Sequence, residues 1–389
     1  MMKKVWKFLS YVLVAALASV VTFCVSGGSG GSGADAGYSK LTELADLIDE
    51  RYVDEYDKTA MEDAAAEAMI GALGDRWSYY ISAANYQNYK EQMANAYVGV
   101  GITIQQQEDE QGIRVLQVTV GGPAEEAGVL AGDALIAVDG QSIIGMDADE
   151  VKNLVRGEAG TTVELTFLRQ EQEITLTVER RSIQTAVATY EMLDDSIGLV
   201  TIENFDSRCF DETKAAIDTL MEQGAVALIF DVRFNPGGYS SELVKLLDYL
   251  LPEGDLFRTV DYLGRENVDQ SDAACIEIPM AVLVNDSSYS AAEFFAAALS
   301  EYDAAVVVGT PTSGKGYYQQ SFKLSDGSAV ALSIGKYYTP NGVSLEGVGI
   351  TPDAGAMVEV DEETYYAIYA GTLDPSEDPQ IQRAVALLR

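Results

Sequence analysis

The sequence of 389 residues contains no histidine, which removes the usual proton acceptor of hydrolytic enzymes. A Ser-His-Asp hydrolase is therefore excluded, and so is any zinc site with imidazole ligands. Positive charge is also scarce, because 25 Lys and Arg residues stand against 61 Asp and Glu residues, for a formal net charge of −36. A chain with this charge repels polyanions, so we expect no nucleic-acid partner.

Cysteine is scarce as well, with three residues in the whole chain. Cys24 lies in an apolar N-terminal run, which leaves Cys209 and Cys275. These two thiols can pair in an oxidising compartment or remain as two buried thiols. We expect neither a metal ion nor a cofactor.

The N-terminus has the pattern of a targeting segment. Three lysines among the first seven residues precede an apolar run from Phe8 to Val25, as in a signal peptide or a short membrane anchor. No small-x-small cleavage site follows, so we expect an uncleaved single-pass anchor over residues 1–25, with the rest of the chain outside the cytoplasm. Secretion after signal cleavage is the alternative. Residues 26–37 are a flexible Gly/Ser tether.

The apolar pattern divides the remaining chain into three regions. Residues 38–95 space their apolar side chains at helical intervals, which predicts an N-terminal helical segment. Residues 96–183 contain short strands and turns of a compact β-rich module. Residues 184–389 alternate buried strands with amphipathic helices, which predicts an α/β core with a mainly parallel, covered sheet. The turn Ser325–Gly327 predicts a hairpin that closes this sheet.

One segment of the core combines a serine with a helix start. NDSSYSAAEFFAAAL, residues 285–299, follows a buried strand, so Ser290 lies at the carboxyl end of the predicted sheet, where α/β active sites form. The partial positive charge of the helix N-terminus favours an alkoxide there. Ser290 and Glu293 also match a capping box, so a simple helix cap is the alternative. Ser287 and Ser288 are neighbouring candidates that spacing alone does not exclude.

Lysine is the one strong candidate for a base in a chain without histidine. Lys315 lies in the glycine-flanked sequence GKG, and Gln319 follows four positions later. If residues 316–324 form a strand, the two side chains face the same side, as a base and its orienting partner would. A lysine acts as a base only if burial lowers its pKa by several units from about 10.4. An exposed loop lysine is the alternative.

A third feature is the turn in DVRFNPGGYSSEL, residues 231–243. A buried strand ends at Arg233 and a helix starts near Ser240, so Gly237 and Gly238 lie in the tight turn between them. Glycine amides at such a turn can point at one anion, as an oxyanion hole requires. No GK[ST] sequence follows, so nucleotide binding is not indicated. A plain strand-to-helix turn is the alternative.

The β-rich module resembles a PDZ domain. The resemblance rests on GPAEEAGVLAGDALIAVDG and VKNLVRGEAGTTVELTFLR, whose glycines fall at matching turns. It implies that a groove beside Tyr97, Val98, Gly99, Val100 and Gly101 binds a peptide C-terminus. Loop amides can receive a carboxylate, and an exposed edge strand can accept an extended peptide. An ordinary strand entry is the alternative.

Four motifs in the right order resemble the C-terminal processing peptidases, the serine peptidases of family S41 with a Ser-Lys pair. The motifs are NDSSYSAAEFFAAAL, GTPTSGKGYYQQ, DVRFNPGG and YYTPNGVSLEGVGITPD, and the match extends to LGDRWSYYIS and DPQIQRAVALLR. The resemblance implies a crotonase-like α/β core with the PDZ module inserted in it. It further implies that Ser290 is the nucleophile, Lys315 the general base and Gln319 the residue that positions Lys315.

The same resemblance assigns the oxyanion hole to the amide of Ala291 and to that of Gly237 or Gly238, with Gly238 favoured. Two positions depart from the family pattern. Trp77 stands where members often have His, and Ala292 replaces a frequent serine. We expect neither of these two residues to touch the chemistry.

These inferences predict an exported serine endopeptidase that recognises protein C-termini through a PDZ domain and cleaves through an acyl-enzyme. Its partners would be proteins or peptides with free C-termini and, through the anchor, a membrane; a homodimer is left open. Two other classes remain, a catalytically inactive PDZ peptide-binding scaffold and a crotonase-like acyl-CoA enzyme. The export signal, the net charge and the lack of a basic site for CoA phosphates argue against the acyl-CoA enzyme.

Overall fold

The computed structural model describes residues 39–106, 112–170, 172–193 and 196–389. The predicted anchor and the Gly/Ser tether lie outside these ranges. Contacts divide the chain between Ala64 and Ala65 into two units, and each candidate site belongs to the second unit. Within the described ranges, every helix is too short or too polar to cross a bilayer.

Helices occur in all three predicted regions. In chain order they are α1 (Ser39–Arg51), α2 (Lys58–Gly71), α3 (Ala83–Met93), α4 (Pro123–Glu126), α5 (Ala148–Val155), α6 (Cys209–Glu222), α7 (Ser240–Leu250), α8 (Ala291–Glu301), α9 (Glu362–Tyr369) and α10 (Pro379–Leu388). The helices α1 to α3 fall in the region whose apolar spacing predicts helices. Neither α1 nor α2 buries any of its side chains.

The strands of the described residues form four sheets. They are β1 (Tyr79–Ile81), β2 (Ala96–Gly99), β3 (Ile102–Gln106), β4 (Ile113–Val118), β5 (Ala134–Val138), β6 (Gln141–Ser142), β7 (Thr162–Arg169), β8 (Gln172–Glu179), β9 (Arg181–Gln184), β10 (Ala188–Leu193), β11 (Ile197–Ile202), β12 (Ala227–Asp231), β13 (Gly254–Asp261), β14 (Glu266–Ser271), β15 (Met280–Val284), β16 (Ala305–Gly309), β17 (Tyr317–Lys323) and β18 (Ala329–Tyr338).

The central sheet of the core has the strand order β10-β11-β12-β15-β16. Its last four strands run parallel, and β10 lies antiparallel at one edge. The strands are apolar on both faces because helices cover both faces. Phe230 and Val282 pack in the cluster that contains α6, α7 and α8, whereas Ile229 and Leu283 pack in the cluster that contains α10. The mainly parallel, covered sheet that the sequence predicts is therefore present.

The topology brings two loops of the core together. The strands β12 and β15 are neighbours and run parallel, so the loops that follow them emerge at the same edge of the sheet. The backbone N–H of Tyr289 donates to the carbonyl oxygen of Asn235 at 3.1 Å, which joins one loop to the other. The serine segment and the glycine turn therefore lie side by side.

A second sheet of the core is antiparallel, with the order β1-β18-β13-β14 and β17 paired to β18. The hairpin predicted around Ser325–Gly327 is β17–β18, but it belongs to this second sheet and does not close the parallel one. The expectation that this hairpin closes the parallel sheet was wrong, because the parallel sheet and the hairpin share no strand pairing among the described residues. Ring contacts among Phe257, Phe294 and Tyr337 join the second sheet to α8.

The β-rich module forms a six-stranded antiparallel sheet, with the order β3-β4-β5-β7-β8 and β6 paired to β5. Its own hydrophobic cluster includes Leu135, Leu165 and Phe167, all fully buried. The strands β2 and β9 pair with each other where the chain enters and leaves the module. The predicted limits, residues 96 and 183, fall on this pair of strands.

The two cysteines of the described chain are free thiols. Cys209 is buried in the core, and burial raises the pKa of its thiol to about 12. Cys275 is only partly buried. Of the two alternatives that the sequence left open, the structure contains the unpaired thiols.

Candidate active site

Ser290 lies at the turn between β15 and α8 in an unusual backbone conformation. Its φ of 59° is in the region that favours glycine, and its ψ is −124°. Such a conformation costs of the order of 1–3 kcal/mol and persists only where the surroundings impose it. Strained strand-to-helix turns of this kind expose a nucleophile above a sheet. The N–H of Glu293 donates to the backbone carbonyl of Ser290 at 2.9 Å, and the Glu293 carboxylate accepts from the N–H of Ser290 at 2.9 Å, so the helix start has a capping box.

The neighbouring serines point elsewhere. The hydroxyl of Ser288 is buried, donates to the carbonyl of Val232 at 2.7 Å and accepts from the N–H of Asn285 at 3.0 Å. The hydroxyl of Ser287 lies 3.2 Å from that of Tyr365. Of these three serines, Ser290 alone lines the large cavity described below.

The glycine turn packs directly against Ser290. A Cβ added at Gly237 would lie 2.8 Å from the Cβ of Ser290, so only glycine permits this approach. The N–H of Gly237 is already used, because it donates to the Asn235 side chain at 2.8 Å. The N–H groups of Gly238 and Ala291 donate to no acceptor among the described residues. Two unpaired amides therefore flank the serine.

Two buried asparagines, which sequence reasoning missed, hold the two loops in place. Asn235 accepts from the N–H of Gly237 through its side chain and from the N–H of Tyr289 through its backbone carbonyl. Asn285 accepts from the N–H of Phe234 at 2.9 Å. Short amide side chains that bond nearby backbone groups are common in turns, and the DVRFNPGG and NDSSYS motifs both contain one.

Glu293 connects the serine to the loop that carries Lys315. Its carboxylate is fully buried and accepts from the N–H groups of Ser290 at 2.9 Å, Gly314 at 2.7 Å and Lys315 at 2.8 Å, and from the hydroxyl of Thr312. Burial raises the pKa of this carboxyl, and the four donors oppose that effect. The capping-box pattern found by sequence explains one of these four hydrogen bonds.

Further contacts fix the backbone around Lys315. Arg76 donates to the carbonyls of Ser313 and Gly314 at 3.1 and 2.9 Å, and Glu346 accepts from the N–H of Gly316 at 2.7 Å. A Cβ at Gly316 would lie 2.7 Å from the backbone nitrogen of Glu346. The glycines of GKG therefore allow the segment around Glu346 to approach the loop closely.

Lys315 has the environment that a lysine base requires. Burial lowers the pKa of its ammonium to about 8, while the carboxylates of Glu293, Asp75 and Glu346 act in the opposite direction. Among the described residues the ammonium forms no ion pair with any of them. The lowered pKa therefore reflects removal from water, which disfavours the charged form. Lys315 is partly buried and is not an exposed loop lysine.

Two aromatic rings face the ammonium. The Nζ of Lys315 lies 5.0 Å from the ring centroid of Trp77 and 5.5 Å from that of Tyr289, and these two rings stack with centroids 6.1 Å apart. The indole of Trp77 contacts the candidate base, which the sequence did not predict, and the expectation that Trp77 takes no part in the chemistry itself stays a prediction. The side chain of Ala292, the other departure from the family pattern, is fully buried in the core.

Gln319 lines the same cavity as Lys315, but strand alternation does not account for this placement. β17 begins at Tyr317, after Lys315, and its pairing with β18 shifts register between Tyr318 and Gln319. The predicted strand 316–324 is present as 317–323, but Lys315 precedes it and the register shift breaks its alternation, so the same-side argument does not apply. The Gln319 amide nitrogen donates to the carbonyl of Tyr317 and to the hydroxyl of Ser333, both at 3.1 Å. Its amide oxygen accepts from no described residue.

One open cavity of about 1140 Å³ collects these groups. Its lining includes Ser290, Lys315, Gln319, Gly237 and Gly238, together with aromatic side chains from the N-terminal segment and Tyr337 from β18. Within the described part of the chain, no hydrogen bond joins the hydroxyl of Ser290 to the ammonium of Lys315. The structure thus brings five of the predicted site residues to one cavity, with Ala291 next to Ser290 but outside the lining, and it leaves the Ser290–Lys315 pair unbonded.

The PDZ-like module has a separate groove of about 490 Å³ between β3 and α5. All five residues of the predicted peptide-binding loop, 97–101, line it, although residues 97–99 belong to β2 and only Val100 and Gly101 form the connection from β2 to β3. β3 pairs with β4 on one side and with no described strand on the other. An extended peptide can therefore add to the free side of β3.

Comparison with known proteins decides the family. Residues 196–356 match the model of peptidase family S41, and residues 114–169 match that of a PDZ domain. The carboxy-terminal processing protease CtpA of Bacillus subtilis (strain 168) is 32% identical over 365 residues, which cover 91% of this chain and 78% of that protein. The chain belongs to peptidase family S41. The prediction of a serine-type peptidase with a PDZ domain is thereby confirmed.

Solved structures agree with this assignment. A photosystem II D1 C-terminal processing protease is 27% identical to this S41 peptidase, with a TM-score of 0.50 and coverage of 88% of this chain and 92% of that one. A protein of Bacteroides fragilis NCTC 9343 shares the fold, with a TM-score of 0.55 at 17% identity and coverage of 87% and 98%.

Proposed function

We propose that this S41 peptidase is an endopeptidase that acts on protein C-termini, with Ser290 as nucleophile and Lys315 as general base. One observation carries the proposal: a single cavity is lined by a strained serine, a lysine with a lowered pKa and Gly238, whose amide is unpaired, and the unpaired amide of Ala291 follows the serine directly. These are the three parts that acyl transfer needs, namely a nucleophile, a base and donors for the oxyanion.

The proposed reaction begins when the neutral Nζ of Lys315 takes the proton of the Ser290 hydroxyl. The serine oxygen forms a bond to the scissile carbonyl carbon, and the carbonyl oxygen becomes an oxyanion that accepts from the N–H groups of Gly238 and Ala291. Lys315 then gives its proton to the leaving amine as the C–N bond breaks. Water hydrolyses the acyl-enzyme by the same proton route, which regenerates Ser290.

Gly238 and not Gly237 is the proposed second donor. The Asn235 side chain already occupies the N–H of Gly237, whereas that of Gly238 has no acceptor among the described residues. Gln319 is proposed to position Lys315 through its amide oxygen, which is free to accept from the ammonium once the proton has been taken up.

The remaining parts of the proposal concern recognition and place. The groove at residues 97–101 is proposed to hold the C-terminus of the substrate, because it combines loop amides with a free strand edge. The central sheet is proposed to be crotonase-like. The segment 1–25 is proposed to anchor the chain in the membrane with the peptidase outside the cytoplasm, on the basis of its basic flank and apolar run. Dimerisation stays a prediction.

The test compares Ser290→Ala and Lys315→Met with Ser287→Ala, using cleavage of an unstructured protein with a free apolar C-terminus. We expect the first two variants to lose activity by about a thousandfold or more while their circular dichroism stays unchanged. Ser287→Ala is the matched control, since its hydroxyl lies outside the cavity, and it should keep full activity. Activity that survives in Ser290→Ala or Lys315→Met would refute the assigned mechanism.

A further inference from the structure

One of the two aromatic rings beside Lys315 comes from a residue outside the loops that carry Ser290 and Lys315. Trp77 lies in the segment between α2 and β1, more than two hundred positions before Lys315 in the chain. Its ring and that of Tyr289 both lie within 6 Å of the Lys315 ammonium, the range of cation–π contact. The two rings are stacked, with an angle of 28° between their planes, so they form one continuous aromatic surface.

Polar contacts hold the indole in this position. The indole N–H lies 3.2 Å from both carboxylate oxygens of Glu346, and the guanidinium of Arg76 lies 4.2 Å from the ring centroid. Both partners also bind the loop of Lys315, because Glu346 accepts from the N–H of Gly316 and Arg76 donates to the carbonyl of Gly314. The ring and the loop are therefore fixed to each other.

An aromatic surface beside a lysine has two opposite effects on the pKa of its ammonium. The ring excludes water, which disfavours the ammonium, whereas the π-face attracts the cation. The charged and titratable groups that face Lys315 are Glu293, Asp75, Glu346 and Arg76, besides the phenol of Tyr289. Burial is the largest influence on Lys315 and lowers the pKa of its ammonium, and the two rings that lie against the ammonium contribute to this burial.

We propose that Trp77 is a positioning residue for the reaction: with Tyr289 it forms an aromatic clamp that shields the Nζ of Lys315 from water and keeps it available as a neutral amine. The proposal rests on the proposed function, in which Lys315 is the base. Trp77 does not touch the reacting atoms in this scheme and acts through Lys315.

The first test needs no catalysis. The chain has two tryptophans, so Trp6→Phe leaves Trp77 as the only indole fluorophore. Because the charge of a group against the ring alters indole emission, we expect a fluorescence titration with a midpoint near the Lys315 pKa of about 8. The transition should vanish in Trp6→Phe/Lys315→Met. A transition that persists in the double variant belongs to another neighbour, such as Glu293, and would overturn the clamp.

The second test is the pH dependence of kcat/KM for a short peptide. Trp77→Ala admits water to Lys315, so the pH at which kcat/KM rises should move to higher pH. We expect kcat/KM to fall by about tenfold or more near pH 7 and by about threefold or less near pH 10. Trp77→Phe keeps a ring and should retain the original midpoint. Tyr86→Ala is the matched control, because Tyr86 lines the same cavity but contacts Lys90 and Lys323 instead.

The outcomes separate the two proposals. If Lys315→Met is inactive but Trp77→Ala shifts no midpoint, or shifts it to lower pH, the clamp is wrong while the mechanism stands. If Lys315→Met remains active, the mechanism fails whatever Trp77 does. A midpoint shift of equal size in Tyr86→Ala would show a general effect of the cavity and would also overturn the clamp.

Discussion

The PDZ groove and the Ser290 cavity use different means of contact. The groove of about 490 Å³ is lined by residues 97–101, by the free edge of β3 and by one face of α5. Most of its surface is therefore backbone and aliphatic side chain. The cavity of about 1140 Å³ is lined by aromatic rings and contains Ser290 and Lys315. The groove is suited to binding any extended chain end, and the cavity is suited to the proposed acyl transfer.

In the proposed function, this difference means that recognition and cleavage rest on separate sets of residues. Backbone hydrogen bonds and a carboxylate contact depend little on pH or on single side chains. A strained serine, a desolvated lysine and two oriented amides depend strongly on both. Changes in one region should therefore leave the other measurably intact, and each prediction below tests that separation.

The largest effect is expected for Gly238→Ala. Gly238 has a φ of 152°, and a Cβ there would lie 2.3 Å from the carbonyl oxygen of Phe205, so the turn must move. Loss of one oxyanion donor typically lowers kcat by about 10²–10³-fold, and we expect a fall of that size. Binding of a labelled peptide C-terminus to the groove, measured by fluorescence polarisation, should not change.

Gly342→Ala is the control for Gly238→Ala. It also has a positive φ, 76°, but no atom lies within 4 Å of an added Cβ. It should cost about 1 kcal/mol of stability with little loss of activity. Equal losses of activity in the two variants would indicate a general effect of backbone strain and not a lost oxyanion donor.

A smaller effect is expected from pH. In the proposed mechanism Lys315 acts only when neutral, and burial lowers its pKa to about 8, so activity should fall as pH drops below that value. We expect kcat/KM to decrease by about tenfold per pH unit below the midpoint and to level off above it. Peptide binding to the groove by Ser290→Ala should stay constant between about pH 6 and about pH 9, because a terminal carboxylate remains ionised there.

Parallel changes of binding and of kcat/KM over this range would contradict the separation of the two regions. A flat kcat/KM profile would contradict the role of Lys315 as a base with a lowered pKa. The measurement requires a short substrate that does not reach the groove, so that binding in the groove does not influence the rate.

The smallest effect is expected for Ala148→Trp, which places a large ring in the groove. Ala148 is a half-buried residue of α5 that lines the groove. We expect cleavage of a long substrate with a free C-terminus to slow by about fivefold, while cleavage of a short peptide stays unchanged. Ala148→Ser should behave as the parent. Altered cleavage of the short peptide would show that the groove acts on the cavity and is not an independent binding site.

The sequence predicted those parts of the site that local patterns encode. The buried strands before DVRFNPGG and NDSSYS, the helices after them and the β17–β18 hairpin all follow from apolar periodicity and turn residues. The missing histidine pointed to Lys315. The second sheet was not recognised, because β14 has the polar sequence ENVDQS and lacks a clear alternation of buried and exposed side chains.

The parts that the sequence did not predict depend on contacts between distant segments. Glu293 accepts from Thr312, Gly314 and Lys315, which lie 19, 21 and 22 positions further on, so the capping box accounts for only its local bond. Trp77 has no local signal at all for its contact with Lys315. The position of Gln319 was argued from strand alternation, which a register shift beside it invalidates.

The buried carboxylate of Glu293 has a mechanical consequence. Glu293 belongs to the first turn of α8, and its carboxylate binds the backbone of Ser290, Gly314 and Lys315 at once, so the start of the helix and the lysine loop are joined through one side chain. Hydrogen bonds to a charged group are worth about 1.5–3 kcal/mol each, which makes this link stiff. We therefore expect the distance between the backbones of Ser290 and Lys315 to stay constant when the cavity fluctuates. Any change in the distance between the serine hydroxyl and the lysine ammonium then comes from rotation of the lysine side chain.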